Sequence, residues 1–109
     1  ASEDGAEMSR FTHLALALVV VLSAAPAQAG DIFKGRKLYT QHCARCHGND
    51  GVPQVPGTPN LARGEGLMAT EQTLVMSLRY GKGLMPGFET VLRGRELLDV
   101  LAYSRTLRR

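Results

Sequence analysis

The residues with the most chemistry stand together. Cys43-Ala44-Arg45-Cys46-His47 holds the only two cysteines of the chain, with a histidine directly after the second. Cys-x-x-Cys-His is the spacing of covalent c-type haem attachment. Two thiols must reach two vinyl groups on adjacent pyrrole edges. Two intervening residues on a helical turn set the sulfurs one turn apart on one face. The histidine that follows then turns its imidazole to the iron, and neutral imidazole is a common haem ligand.

Other chemistries fit these residues less well. A thioredoxin-like Cys-x-x-Cys pair expects a preceding strand in a βαβ setting, whereas the pattern before Cys43 is helical. A structural zinc site needs four ligands. There is no second cysteine pair, and His13 and His42 are poorly placed to complete a set. A disulfide between residues three apart would constrain almost none of the unfolded chain.

A lone histidine leaves one axial position of a haem iron open. Met85 is the candidate, 38 residues beyond His47 in the run Tyr80-Gly81-Lys82-Gly83-Leu84-Met85-Pro86-Gly87-Phe88. Glycines without a Cβ let this backbone approach a flat group closely. Pro86 biases Met85 toward an extended backbone. Thioether ligation opposite histidine raises the potential of the iron. Of the other methionines, Met8 opens an apolar leader, Met76 falls on a helical stripe and reads as packing, and Met68 is the loop-borne rival. Without a methionine ligand the iron would be open to small gases.

Helices must position these groups, and the expected fold class is all-α. Asp31 is placed to cap a helix from Ile32, whose apolar face reads Ile32, Gly35, Leu38, Tyr39 and His42. That helix runs directly into the cysteine motif. Residues 52–58 contain two prolines and a glycine and read as a loop. Thr70 caps a second helix with Glu71 in its first turn and Leu74, Val75 and Leu78 as its stripe, and Gly81 stops it. A last helix spans about Gly94 to Leu107, with Leu97, Leu98, Leu101 and Tyr103 inward. Arg105, Arg108 and Arg109 near its end suit the helix dipole. No strand pattern and no internal repeat is visible.

The first 29 residues read as an N-terminal extension plus a secretory signal, and residues 30–109 as the one domain. Residues 1–7 are acidic and precede Met8, which reads as the natural start. Leu14 to Ala25 is an apolar run of 12 residues broken only by Ser23. Pro26-Ala27-Gln28-Ala29 then fits a small-residue cleavage site. The run is shorter than the roughly 18–20 residues that cross a bilayer, which favours cleavage over an uncleaved membrane tether. The 80 residues that remain carry 12 lysines and arginines against 7 aspartates and glutamates, a formal +5. So small a domain buries little apolar surface alone, and a large bound cofactor would add the core it lacks.

On these residues the chain resembles the class I c-type cytochromes, the small monohaem c6- and c551-like proteins, over the whole of 30–109. Gly35 and Tyr39 look like the glycine and aromatic of that family's first helix, and Val100 and Tyr103 like their partners on the last. Pro59-Asn60-Leu61 resembles the family's Gly-Pro-x-Leu stretch, with Thr58 in the place of its glycine. The Met85 to Phe88 run resembles the ligand loop of the c6-like members. The last helix departs from the family in having Arg93 and Gly94 where a capping side chain is usual, and no tryptophan is present.

The resemblance implies a small fold of three to four helices wrapped around one haem c, attached through Cys43 and Cys46 with His47 and Met85 on the iron. It implies that the Pro59 carbonyl accepts a hydrogen bond from His47 and that Leu61 packs on the haem. The expected function is a periplasmic electron carrier, not an enzyme, working between a redox donor and acceptor. The alternative is a dedicated haem subunit of a larger oxidase, reductase or dehydrogenase complex. Arg36, Lys37, Arg45, Arg63 and Lys82 are the candidate contacts for an acidic docking surface. The basic residues are scattered, which is not the pattern of a nucleic-acid surface.

Overall fold

The computed structural model describes residues 30–109. The expected leader and its cleavage site lie outside the described residues. Helix α1 is Ile32–His42, and α2 is the single turn Ala44–His47. A 3-10 turn at Leu61–Arg63 follows a long loop. Helix α3 is Glu71–Tyr80 and α4 is Arg95–Thr106. Among the described residues the only β-type pairing is one bridge between Lys82 and Met85. The expected all-α class is what the chain adopts.

The capping chemistry works as the residue types require. The Asp31 carboxylate accepts from the Phe33 and Lys34 amides at 2.9 and 3.2 Å, satisfying two of the free donors that begin a helix. Thr70 Oγ1 accepts from the Thr73 amide at 3.3 Å. Gly81 ends α3 with φ +86°. At α4 the missing capping side chain is offset from within the helix. The Glu96 carboxylate reaches back to the Arg93 amide at 3.0 Å, while the Glu96 amide donates to the Arg93 carbonyl at 2.7 Å. This is the return half of a capping box.

Helices α1 and α4 pack together and make the core. Gly35 is the reason they can approach: a Cβ built there would run into the Asp99 carbonyl and stand 2.9 Å from the Tyr103 Cβ. Tyr39 packs edge-on to Tyr103, ring centres 5.3 Å apart. Tyr39, Leu92, Leu97 and Val100 are the largest fully buried side chains, each worth roughly 1.5–3 kcal/mol in apolar burial. The two helices are also pinned at one end. The Asp31 amide donates to Asp99 Oδ1 at 2.7 Å, 68 residues away, and Asp99 is buried.

Three expectations change. On α4 the inward residues are Leu97, Asp99, Val100, Leu101 and Ser104, while Leu98 and Tyr103 are half-buried. Val100 and Ser104 are buried beside Leu97 and Leu101, while Asp99 and Tyr103 are the α4 residues that meet Gly35 and Tyr39 of α1. Ile32, the first residue of α1, is exposed, although Gly30 and Asp31 just before it lie against α4. Met76 was expected to pack, yet half of it is exposed. Helix α3 meets α4 along one side only and fully buries none of its own residues.

Candidate haem site

The site grows out of the end of α1. Cys43 closes α1 and opens α2, its carbonyl accepting from the Cys46 and His47 amides at 3.2 and 2.9 Å. That single turn sets Cys43 and Cys46 on one side with His47 directly after. Neither cysteine forms a disulfide; Cys43 is buried and Cys46 exposed. Burial, with the neighbouring Cys46 as a lesser cause, pushes the Cys43 thiol up to about 11, so it stays protonated at neutral pH. The Tyr39 hydroxyl, one turn earlier, donates to the Gly48 carbonyl at 2.6 Å. This bond ties the turn after His47 back onto α1.

The loop after His47 folds back on itself. The Gln54 amide donates to the Cys46 carbonyl at 2.8 Å, and the Leu61 amide to the Gly51 carbonyl at 2.9 Å. These two bonds return Pro59 to the histidine, where His47 Nδ1 lies 3.4 Å from the Pro59 carbonyl oxygen. With Nδ1 donating there, the lone pair of Nε2 is the one left for a metal. Burial lowers the His47 pKa, opposed by the bond to Pro59, so the ring is neutral and ligand-competent at pH 7.

Asn60 and Glu65 fix the next turn. The Asn60 amide donates to Glu65 Oε2 at 2.8 Å, and the Glu65 amide donates to the Asn60 carbonyl at 3.0 Å. At the far end of the chain the Arg109 amide donates to the Ala62 carbonyl at 2.8 Å. The C-terminus thereby straps the 3-10 turn that carries Leu61. Leu61 is buried in one cluster with Tyr39, Cys43, Leu92, Leu97 and Val100.

Met85 closes a tight turn with Lys82, each amide donating to the other's carbonyl at 3.0–3.1 Å. Leu84, at its tip, is fully exposed, and Met85 is half-buried. The turn is held against α3: the Phe88 amide donates to the Leu78 carbonyl at 2.8 Å and the Glu89 amide to the Arg79 carbonyl at 3.1 Å. Gly81 is required here, since a Cβ would stand 2.7 Å from the Met85 carbonyl oxygen. Phe88 meets His42 edge-on, ring centres 6.1 Å apart. Met68, the rival, is 80% exposed, which leaves Met85 as the better-sheltered thioether.

These groups fit a haem. Two free thiols could attach it to the chain, and a neutral imidazole and a thioether are groups that can ligate its iron. Leu67, Val75, Leu78 and Phe88 are apolar and half-buried at the edge of the cluster that holds Cys43 and Leu61, the surface a flat apolar group would cover. Three supports were not visible in the sequence: the Tyr39–Gly48 bond, the Asn60–Glu65 pair and the Asp99 anchor. Only the last had a hint, in that Asp99 is an acidic residue set between Leu98 and Val100 in the apolar stretch of α4. Arg36, Lys37, Arg45, Arg63 and Lys82 are all exposed.

A helical domain with this donor set has the build of a c-type cytochrome, and comparison with known proteins agrees. The family profile described as cytochrome C oxidase, cbb3-type, subunit III matches residues 30–103. Cytochrome c6 of Nostoc sp. (strain PCC 7120) is 32% identical over 92 residues, covering 83% of each chain. The cbb3-type cytochrome c oxidase subunit CcoP of Rhodobacter capsulatus is 33% identical over 79 residues, covering 70% of this chain and 27% of that one. Among solved structures the KustC0563 c-type cytochrome superposes with a TM-score of 0.61 at 27% identity, covering 69% of this chain and 98% of that one. The chain belongs to this cytochrome c family and is a small class I c-type cytochrome. Its cofactor is haem c, and it is an electron-carrying redox protein.

Proposed function

We propose that the chain is an exported one-electron shuttle of the periplasm, made by removing residues 1–29. In this reading Cys43 and Cys46 hold the haem through thioether bonds, and His47 and Met85 are its axial ligands. The observation that carries it is the 3.4 Å approach of His47 Nδ1 to the Pro59 carbonyl, which orients the ring and frees Nε2. When bound, the haem supplies a one-electron ferrous–ferric couple.

The protein's own residues do the rest. His47 stays neutral and oriented. Met85 offers a soft sulfur from a turn whose two hydrogen bonds limit its movement. Ligands kept in place in both oxidation states keep reorganisation small. Leu61 shields one face from water, and Pro59 holds the ring proton of His47. Arg36, Lys37, Arg45, Arg63 and Lys82 supply exposed positive charge for an acidic partner, so encounter rates fall as salt rises. Among the described residues no helix is long and apolar enough to cross a membrane.

The test is Met85→Ala in the haem-loaded protein. The expected result is a lower reduction potential and loss of the iron–sulfur charge-transfer band. An unchanged band and potential, or ready carbon monoxide binding by the reduced wild type at neutral pH, overturns the ligand assignment.

A second reading is a haem subunit built into a larger oxidase complex. The match to about a quarter of the CcoP subunit favours it. Gel filtration of a periplasmic extract separates the two readings. Elution at the mass of a free small protein supports the shuttle, and elution only with a large complex supports the subunit.

A further inference from the structure

The peptide group joining Pro59 to Asn60 is engaged at both ends. Its carbonyl oxygen faces His47 Nδ1 at 3.4 Å. Its N–H donates to Glu65 Oε2 at 2.8 Å. Both belong to one conjugated amide. A carboxylate that accepts from the N–H makes a charge-assisted bond and draws the amide toward the resonance form with more negative charge on oxygen. The two bonds are in series, and bonds in series polarise one another.

We propose that Glu65 is a positioning residue for His47: acting through the Pro59–Asn60 peptide, its carboxylate strengthens the hydrogen bond from His47 Nδ1 and lowers the reduction potential of the haem. The inference rests on the reading of His47 as an axial ligand. A more basic Pro59 oxygen holds the Nδ1 proton more tightly. The imidazole ring gains electron density, and Nε2 becomes the stronger donor. A stronger donor favours the more positive, oxidised iron.

The local backbone holds Glu65 to this task. Its own amide donates to the Asn60 carbonyl at 3.0 Å, closing a reciprocal pair with the side-chain bond. Asn60 Oδ1 accepts from the Arg63 amide at 3.3 Å and fixes the intervening turn. Glu65 is nonetheless exposed, so replacing it does not open the core. Its effect on the iron travels through hydrogen bonds and not through packing.

The experiment compares wild type, Glu65→Gln and Glu65→Asp as haem-loaded proteins, with Glu89→Gln as an exposed carboxylate outside the relay. Potentials are measured at 0.1 M and 1 M salt. At 1 M the Debye length is about 3 Å, so a through-space charge effect is screened while a hydrogen-bonded relay persists. Glu65→Gln is expected to shift the couple about threefold toward the reduced form at both salts, a rise of about 28 mV at 59 mV per tenfold for one electron. Hydrogen exchange at His47 Nδ1, followed by NMR in the reduced state, is expected to quicken several-fold. Glu65→Asp keeps the charge and shortens the reach, and shifts both readouts in the same direction by less. Glu89→Gln is expected to give a change that disappears at 1 M salt.

A potential unchanged in Glu65→Gln, or a shift that vanishes at 1 M salt like that of Glu89→Gln, overturns the proposal and leaves Glu65 an ordinary surface charge. The ligand reading fails separately. If His47 is not on the iron, the wild type itself lacks a haem-shifted His47 ring N–H resonance. That result overturns both readings before any substitution is made.

Discussion

The Tyr39 hydroxyl donates to the Gly48 carbonyl at 2.6 Å, binding the middle of α1 to the residue that follows His47. Tyr39 is among the most buried residues of the domain, so the bond lies inside the core that α1 shares with α4. Burial, with nearby acidic groups as lesser causes, drives the Tyr39 pKa well above its ordinary value.

Tyr39→Phe removes this bond and the titration together. Loss of one buried hydrogen bond costs about 1 kcal/mol at neutral pH. The folded-state pKa lies above the unfolded value of about 10, so the protonated hydroxyl contributes stability that is present below pH 10 and lost as pH rises beyond it. Denaturant unfolding at pH 7 and at pH 11 is the check. The gap between wild type and Tyr39→Phe narrows at the higher pH, and a gap that widens contradicts the assignment.

Gly35→Ala tests the close crossing of α1 and α4. The new methyl meets the Asp99 carbonyl and the Tyr103 Cβ, both of which belong to a regular helix and cannot step aside. Overpacking of this kind costs about 1–3 kcal/mol, which outweighs the gain of about 1 kcal/mol from replacing a helical glycine. A lower denaturant midpoint for the holo-protein is expected. An equal or higher one means that the helices part without cost.

Asp31→Ala removes the cap that accepts from the Phe33 and Lys34 amides. The expected loss is about 1 kcal/mol. The bond from the Asp31 amide to Asp99 uses the backbone and survives the substitution, so Asp31→Asn, which can still cap, recovers most of the loss. Thermal unfolding of the three proteins measures it.

Cysteine removal tests the attachment. In Cys43→Ala or Cys46→Ala one thioether remains, and intact mass still includes the haem after acid–acetone extraction. In the double variant the haem is extracted and the mass falls to that of the polypeptide. Retention of haem by the double variant excludes these cysteines as the attachment points.

Much of this was legible in the residues because the chemistry is local. Cys43, Cys46 and His47 fall within one helical turn, so their spacing alone specifies which groups stand together. Asp31, Thr70 and Gly81 act on amides and carbonyls a few positions away, and their side chains announce it. The periodicity of α4 was clear as well, but leucine content pointed to Leu98, which is half-buried, while Val100 and Ser104 are buried. For Met76 the stripe on α3 was real and its cover was not. Periodicity tells that a face is apolar, not what lies against it.

The sequence by itself determined the class: a small helical domain with haem c on Cys-x-x-Cys-His, since those residues must be neighbours to do that chemistry. Only the tertiary structure decided what supports them. The return of Pro59 to His47, the grip of Glu65 on Asn60 and the anchor of Asp31 on Asp99 join residues that no local propensity pairs. Each depends on how the loop after His47 closes or on how nearly α4 can approach Gly35, and those distances are set by packing the whole chain at once.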